Sequence, residues 1–166
     1  DGSLRFVIPT GDDVYTSPSF YQNNSEFNIY FGSDDGNVYG INTEGNALEG
    51  FPKNVSGAVV GSVVISDLDD DGNVDLVVAN NSGEIHAINL DGSSLDYFPI
   101  SYEFSFSSSP QVYDYDNDGD LEIICGSTGD LVLIDVKNHN QNENDFWSIY
   151  KGDFARSGYY DEDASS

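Results

Sequence analysis

Several kinds of residue are scarce in this 166-residue chain, and each shortage excludes a class of protein. A single cysteine, Cys125, excludes an internal disulfide. Only five Lys and Arg residues stand against 30 Asp and Glu, which gives a formal net charge of −25. The chain therefore lacks the basic clusters that nucleic acids and anionic membrane surfaces require, and we expect neither as a partner. No apolar run approaches the roughly 18 residues of a membrane span, so membrane insertion is not expected.

Methionine is absent even at residue 1, which indicates a processed product or a piece of something longer. A sustained helical period of apolar residues is also missing. The chain instead has 11 Tyr and 10 Phe, in short apolar runs separated by Gly, Asn, Asp and Ser. This pattern is typical of strands and turns, so the sequence predicts an all-β fold.

A repeat of about 47 residues runs through the chain. Its clearest copies are the similar segments 36–42, 83–89 and 129–135, and each is preceded by a Ser-containing start. The alignment predicts three units, at about 17–61, 62–108 and 109–150. Residues 1–9 look like the last strand of one more unit, and residues 161–166 are expected to be a linker or tail.

Each unit is predicted to contain four short strands, of which the fourth precedes a Phe-Pro pair. Four strands in 40 to 50 residues are typical of a β-propeller blade, and a β-sandwich is the alternative. The length allows about 3.5 blades, whereas a closed propeller needs roughly four or more. The sequence therefore predicts a propeller segment that packs against further blades, from the same precursor or from other copies.

Two acidic loops lie at the same position in the second and third units, between the first and second strands. Both read D-x-D-x-D-G-x-x-[D/E] and predict carboxylates at positions 1, 3 and 5 around one point. The backbone carbonyl at position 7 can face the same point, and the acid at position 9 closes the shell. The predicted ligands are Asp67, Asp69, Asp71, Asn73 and Asp75 in one loop, and Asp114, Asp116, Asp118, Asp120 and Glu122 in the other. This many hard oxygen ligands suits Ca²⁺, so two calcium sites are expected.

Two other interpretations of these loops fit the residues less well. Solvated acidic turns explain one such loop well, but explain two at matched positions poorly. An EF-hand needs a bidentate Glu at position 12, where the loops have Val78 and Cys125 within apolar runs. The first unit has a shorter segment with one acid, Glu26, so no metal is predicted there.

The segments around the acidic loops, such as residues 61–78, closely resemble the FG-GAP/VCBS repeat of integrin α-subunit propellers and many secreted bacterial proteins. The resemblance implies a propeller with calcium in the loop between strands one and two of a blade. No Gly-Ala-Pro follows the second strands, which favours the bacterial branch over integrin-like ligand recognition. The resemblance also implies a secreted or cell-surface location.

No catalytic residues are predicted, because His86 and His139 have no Ser or Cys partner in a recognisable arrangement. The aromatic segment 97–106 could line a sugar or protein site, with strand core and an inter-blade loop as the alternative. We therefore expect a non-enzymatic, calcium-binding extracellular module that acts in adhesion, assembly or protein or glycan binding. The alternatives are an accessory or catalytic propeller of a secreted polysaccharide-active enzyme, and a structural subunit of an extracellular filament.

Overall fold

The computed structural model describes residues 2–23 and 26–136. Within these residues the chain forms eleven strands and no helix, arranged as three antiparallel sheets. None of the described residues therefore forms a helix long and apolar enough to cross a membrane. The fold is all-β, as the sequence predicts.

Each sheet lies within one repeat unit, and its strands are neighbours in the order in which the chain forms them. The first sheet contains β1 (Ser19–Asn23), β2 (Glu26–Gly32), β3 (Asn37–Asn42) and β4 (Lys53–Asn54). The second contains β5 (Val64–Ser66), β6 (Asp75–Ala79), β7 (Glu84–Asn89) and β8 (Ile100–Ser101). The third contains β9 (Gln111–Tyr113), β10 (Leu121–Gly126) and β11 (Leu131–Val136).

The three sheets stack face to face, with their first strands side by side. Ser19 Oγ donates to the carbonyl of Val63, next to β5, and the backbone N of Ser62 donates to Ser109 Oγ. One apolar cluster fills the first seam, which lies between the first and second sheets. Another fills the second seam, between the second and third sheets. β6 is buried along its whole length because it is covered on both faces. This explains its uninterrupted apolar run after Asp75.

The third sheet has one covered face and one open face. Val112, Ile123 and Cys125 belong to the cluster at the second seam and are at most 1% exposed. β11 alternates between exposed and half-buried residues, and Leu131 and Leu133 on its open side are 76% and 49% exposed. Their counterparts in the second sheet, Ile85 and Ala87, are fully buried at the seam. The repeat therefore places apolar side chains at a face that no described residue covers.

The predicted position of the fourth strand is wrong. β4 and β8 follow the Phe51-Pro52 and Phe98-Pro99 pairs rather than preceding them. The residues before the first pair make only one isolated bridge, between Ile41 and Ala47. Gly45 and Gly50 both adopt positive φ, so the backbone turns there instead of extending along β3.

The predicted leading strand in residues 1–9 is also wrong, since residues 2–9 form no strand. The chain before β1 instead packs on the first sheet, where Phe6 lies against Gly45. It also bonds to the turn between β2 and β3, where Asp34 N donates to Asp13 O and Gly11 N donates to Asp35 Oδ2. The predicted fourth strand of the third unit and the tail 161–166 lie outside the described residues.

Candidate metal centre

Both acidic loops connect the first strand of a sheet to its second strand. One runs from Asp67 to Asp75, between β5 and β6, and the other from Asp114 to Glu122, between β9 and β10. Each turns sharply at its sixth residue, where Gly72 has φ of 87° and Gly119 has φ of 97°. Only glycine adopts this conformation without strain from a Cβ, which explains why both loops have Gly at this position.

In the loop of the third sheet, four carboxylates converge. Asp114, Asp116, Asp118 and Glu122 each offer an oxygen, and these four oxygens lie within 4.8 Å of one another. Asp114 is 8% exposed and Glu122 is 3% exposed. Asp114 Oδ1 is buried and has no hydrogen-bond partner. A buried carboxylate oxygen without a donor is costly, and a bound cation would compensate it.

In the loop of the second sheet, three carboxylates converge. Oxygens of Asp67, Asp69 and Asp71 lie within 4.8 Å of one another, and the predicted fourth member, Asp75, falls outside this group. Asp75 Oδ2 instead accepts a hydrogen bond of 3.0 Å from the backbone N of Leu68. The two groups together thus contain seven of the eight residues predicted to bind through a side-chain carboxylate.

Local hydrogen bonds shape the two loops in parallel. The backbone N of Asn73 donates to Asp71 Oδ1 at 2.7 Å, and the backbone N of Asp120 donates to Asp118 Oδ1 at 2.9 Å. Asp67 accepts from the backbone N atoms of Asp71 and Gly72. Such bonds from short acidic side chains to the backbone two to five residues ahead favour a tight loop. The residues predicted to supply carbonyls, Asn73 and Asp120, therefore occupy matched positions.

Burial and mutual repulsion raise the pKa of several loop carboxylates. Burial raises the pKa of Asp75 to about 7, and the charges of Asp69, Asp67 and Asp71 add to the effect. Burial also raises the pKa of Asp67 and of Glu122, and neighbouring acids contribute in both cases. The side chains are thus held where their ionised forms are disfavoured unless a positive charge is present.

The donor set fits a hard divalent cation. Converging carboxylates without nitrogen or sulfur ligands suit Ca²⁺, which accepts six to eight oxygens in flexible geometry. Two carboxylates about 5 Å apart repel by roughly 3 kcal/mol at an effective dielectric of 20. The unpartnered Asp114 Oδ1 in the larger group points to the same requirement for a cation.

The structure also locates residues to which sequence reasoning gave little weight. His86 lies at the first seam, 7% exposed, with Nε2 3.2 Å from Glu84 Oε2. Asn80 Nδ2 contacts the same ring and donates to the carbonyl of Val55 at 2.7 Å, so this group links the second sheet to the chain after β4. Tyr97, in the aromatic segment, is 95% exposed at the rim of a cavity. The sequence signal for this position is that the repeat aligns Tyr97 with Gly50.

Three stacked, mostly four-stranded antiparallel sheets with their first strands adjacent form a segment of a β-propeller. Residues 67–125 match the family model for the FG-GAP-like repeat. The match begins at the first residue of one acidic loop and ends within β10, after the second loop. This part of the chain is therefore similar to the FG-GAP-like repeat, which confirms the resemblance seen in the sequence.

Among solved structures, the crystal structure of BamB from Moraxella catarrhalis, a β-propeller protein, is similar to this chain. The superposition has a TM-score of 0.54 at 16% sequence identity and covers 77% of this chain and 34% of BamB. At this identity the likeness concerns the fold alone, and the chain spans about a third of the length of BamB. No curated protein matches the sequence.

Proposed function

We propose that the two acidic loops bind Ca²⁺ and that the ions stabilise the propeller segment. The observation that carries this proposal is the group of four carboxylates at Asp114, Asp116, Asp118 and Glu122, with Asp114 Oδ1 buried and unpartnered. The matched loop with Asp67, Asp69 and Asp71 supports a second site. Asp75, Asn73 and Asp120 are the further ligands that the loop pattern predicts.

Isothermal titration of chelator-stripped protein tests the proposal directly. Two calcium-binding events per chain are expected, and the double variant Asp67→Ala with Asp114→Ala should lose both. Asp91→Ala is a matched control, because Asp91 also accepts hydrogen bonds from a turn but belongs to neither carboxylate group. Stoichiometric binding retained in the double variant would contradict the assignment. Binding should also weaken as the pH falls, because the ligands must be ionised.

Calcium should also raise the stability of the folded chain. An ion that binds only the folded state at 100 times its Kd adds about 2.7 kcal/mol per site. Chelator should therefore lower the Tm of the wild-type protein and leave the Tm of the double variant unchanged. An unchanged wild-type Tm would mean that the loops are solvated turns.

We further infer a non-enzymatic role in adhesion, assembly or binding of a protein or glycan, at a secreted or cell-surface location. The strong net negative charge and the two acidic loops support this role. The surroundings of Cys125 and His86 favour a structural role over a catalytic role for both residues. Burial raises the pKa of the Cys125 thiol, which disfavours the nucleophilic thiolate, and His86 is held at a seam by Asn80 and Glu84. Hydrolysis assays on extracellular polysaccharides provide the test, and turnover would favour the enzyme alternative.

The partner that we propose is a further blade, from the same precursor or from another copy. The support is the open face of the third sheet, where Leu131 and Leu133 occupy positions equivalent to the buried Ile85 and Ala87. Exposed apolar faces of this kind mark interaction sites. A self-associating, repetitive face would also suit the filament alternative.

Light scattering on the isolated chain tests this partner. Association is expected at micromolar concentration, and it should weaken in Leu131→Lys with Leu133→Lys. Tyr115→Lys is the control, since Tyr115 is 65% exposed but lies in the loop before β10. A stable, monodisperse monomer of 18.1 kDa would contradict self-association. The other proposed partner, a further blade of the same precursor, is tested by measuring whether a longer chain covers Leu131 and Leu133.

A further inference from the structure

The two seams between sheets differ at one equivalent position. At the first seam, Gly50 has φ of 78° and its backbone touches the turn that follows β7. A Cβ built on Gly50 would lie 1.9 Å from the carbonyl oxygen of Asp91, so this contact requires glycine. At this point of the first seam, the backbone of Gly50 therefore packs directly against the backbone of Asp91 and Gly92.

At the second seam, the residue 47 positions later is Tyr97. It keeps the left-handed conformation, with φ of 69°, although a bulky side chain there is strained by about 1 kcal/mol or more. A cavity of about 470 Å³ lies at this point, and the Tyr97 side chain stands at its rim, 95% exposed.

The lining of the cavity defines what would fill it. Leu95, Phe98 and Val136 contribute apolar surface. Asp96 and Asp135 add carboxylates from outside the acidic loops, and Asp69 of the second-sheet loop adds a third. An apolar cavity with negative charges and an exposed tyrosine suits an occupant that combines aromatic and cationic side chains.

The chain itself continues from the wall of this cavity. Val136 is the last residue of β11 and lines the cavity, and residues 137–160 follow it directly. Three of the five basic residues of the whole chain lie in that segment, together with its only tryptophan. These residues are Lys137, Lys151, Arg156 and Trp147. Because the segment is tethered at the cavity, its effective concentration is high compared with any separate partner.

We propose that the cavity at Tyr97 is a docking site for the segment 137–160 of the same chain. Docking would place aromatic and basic side chains against Tyr97, Asp96 and Asp135. The gain from these contacts would offset the strain of a tyrosine at positive φ. The proposal needs no metal, although the cavity borders the second-sheet acidic loop at Asp69.

Photo-cross-linking of the full chain tests the proposal. p-Benzoylphenylalanine at position 97 replaces one exposed aromatic side chain by another, and the same residue at position 115 is the matched control. Irradiation should join position 97 to a residue within 137–160 of the same chain, identified by mass spectrometry of the monomer band. Cross-links between two copies, cross-links confined to residues 2–136, or a yield no higher than at position 115 would overturn the proposal.

Fluorescence of Trp147 provides a second readout. Asp96→Lys should increase acrylamide quenching of this tryptophan by roughly two- to threefold, as expected for the loss of a partly exposed charge contact. Glu49→Lys is the matched control, because Glu49 is the equivalent exposed acid at the first seam. Equal quenching in the two variants would argue against docking at Asp96. Both positions are exposed, so neither variant should unfold the protein.

Discussion

In the loop of the third sheet, Glu122 joins Asp114, Asp116 and Asp118 in one group of oxygens, whereas in the loop of the second sheet Asp75 stays outside the group. Both closing acids accept a hydrogen bond from the backbone N of the second loop residue, Leu68 in one loop and Tyr115 in the other. The difference between them is one methylene. Glutamate can accept this bond and still extend an oxygen to the other carboxylates, while the shorter aspartate does not reach them here.

One repeat pattern thus gives two carboxylate groups, of which one is complete and the other lacks its closing acid. The four-carboxylate group is already assembled, so a cation would bind it with little rearrangement. In the other loop the closing carboxylate is 1% exposed, and its pKa is raised to about 7. A cation there would have to draw Asp75 into the shell and, at or below about pH 7, compete with its proton, and both cost binding free energy.

The largest effect is expected from removing one site at a time. Asp114→Ala and Asp67→Ala should each remove one calcium-binding event, with a loss of at least a thousandfold, or about 4 kcal/mol, at the altered loop. The site left in Asp67→Ala should be about tenfold tighter than the site left in Asp114→Ala, because its four carboxylates are preformed. Titration calorimetry measures both constants, and equal or reversed affinities would remove the proposed distinction between the loops.

The second-largest expected difference between the two loops is in how the free energy of unfolding depends on pH. The folded-state pKa of Asp75 is raised, so between its ordinary value of 3.8 and about 7 the folded chain binds more protons than the unfolded chain. Without calcium, the free energy of unfolding should therefore fall as the pH rises through this window, by about 3 kcal/mol.

Denaturant unfolding in chelator at pH 5 and pH 8 measures this fall. Asp75→Asn should abolish most of it and should be more stable than the wild type at pH 8. Glu122→Gln is the matched variant in the other loop, and burial raises the pKa of Glu122 in the same direction. If Asp75→Asn keeps the full pH dependence, another carboxylate is responsible.

Exchanging the closing acids should reverse part of the difference in affinity. Asp75→Glu adds the methylene that the second-sheet loop lacks, and should tighten its calcium binding by roughly three- to tenfold, or about 1 kcal/mol. Glu122→Asp should weaken the third-sheet site by a similar factor. Calorimetry on both variants, each with the other loop disabled by Asp→Ala, gives the comparison. No change in either variant would mean that side-chain length does not limit these sites.

The smallest expected effect is a loss of stability on replacing the loop glycines, and it should be equal in both loops. Gly72→Ala and Gly119→Ala each place a Cβ on a residue at positive φ, which costs about 1 kcal/mol of stability. A Cβ on Gly72 would meet no atom within 4 Å, so the cost there is conformational strain without a clash. Thermal unfolding measures both variants. A much larger loss in one of them would show that the glycines are not equivalent.

Much of the fold could be predicted because the repeat is visible in the residues. The matched segments 36–42, 83–89 and 129–135 coincide largely with β3, β7 and β11, since alternating side chains after a Gly turn specify a strand locally. The fourth strands were misplaced because Gly45 and Gly50 bend the backbone before Phe51, and the residues there still look extended in sequence. The leading strand was misplaced because residues 2–9 resemble the end of a unit but lack a partner strand.

The sequence by itself determined the repeat, the strand composition and the position of both acidic loops, because these depend on residue types at short, fixed spacings. Only the tertiary structure decided that Asp75 is buried outside its carboxylate group and that Leu131 is exposed while Ile85 is not. It also decided that the second seam is open beside Tyr97. These properties depend on which sheet covers each face and on how far a side chain reaches, and residues distant in sequence set both.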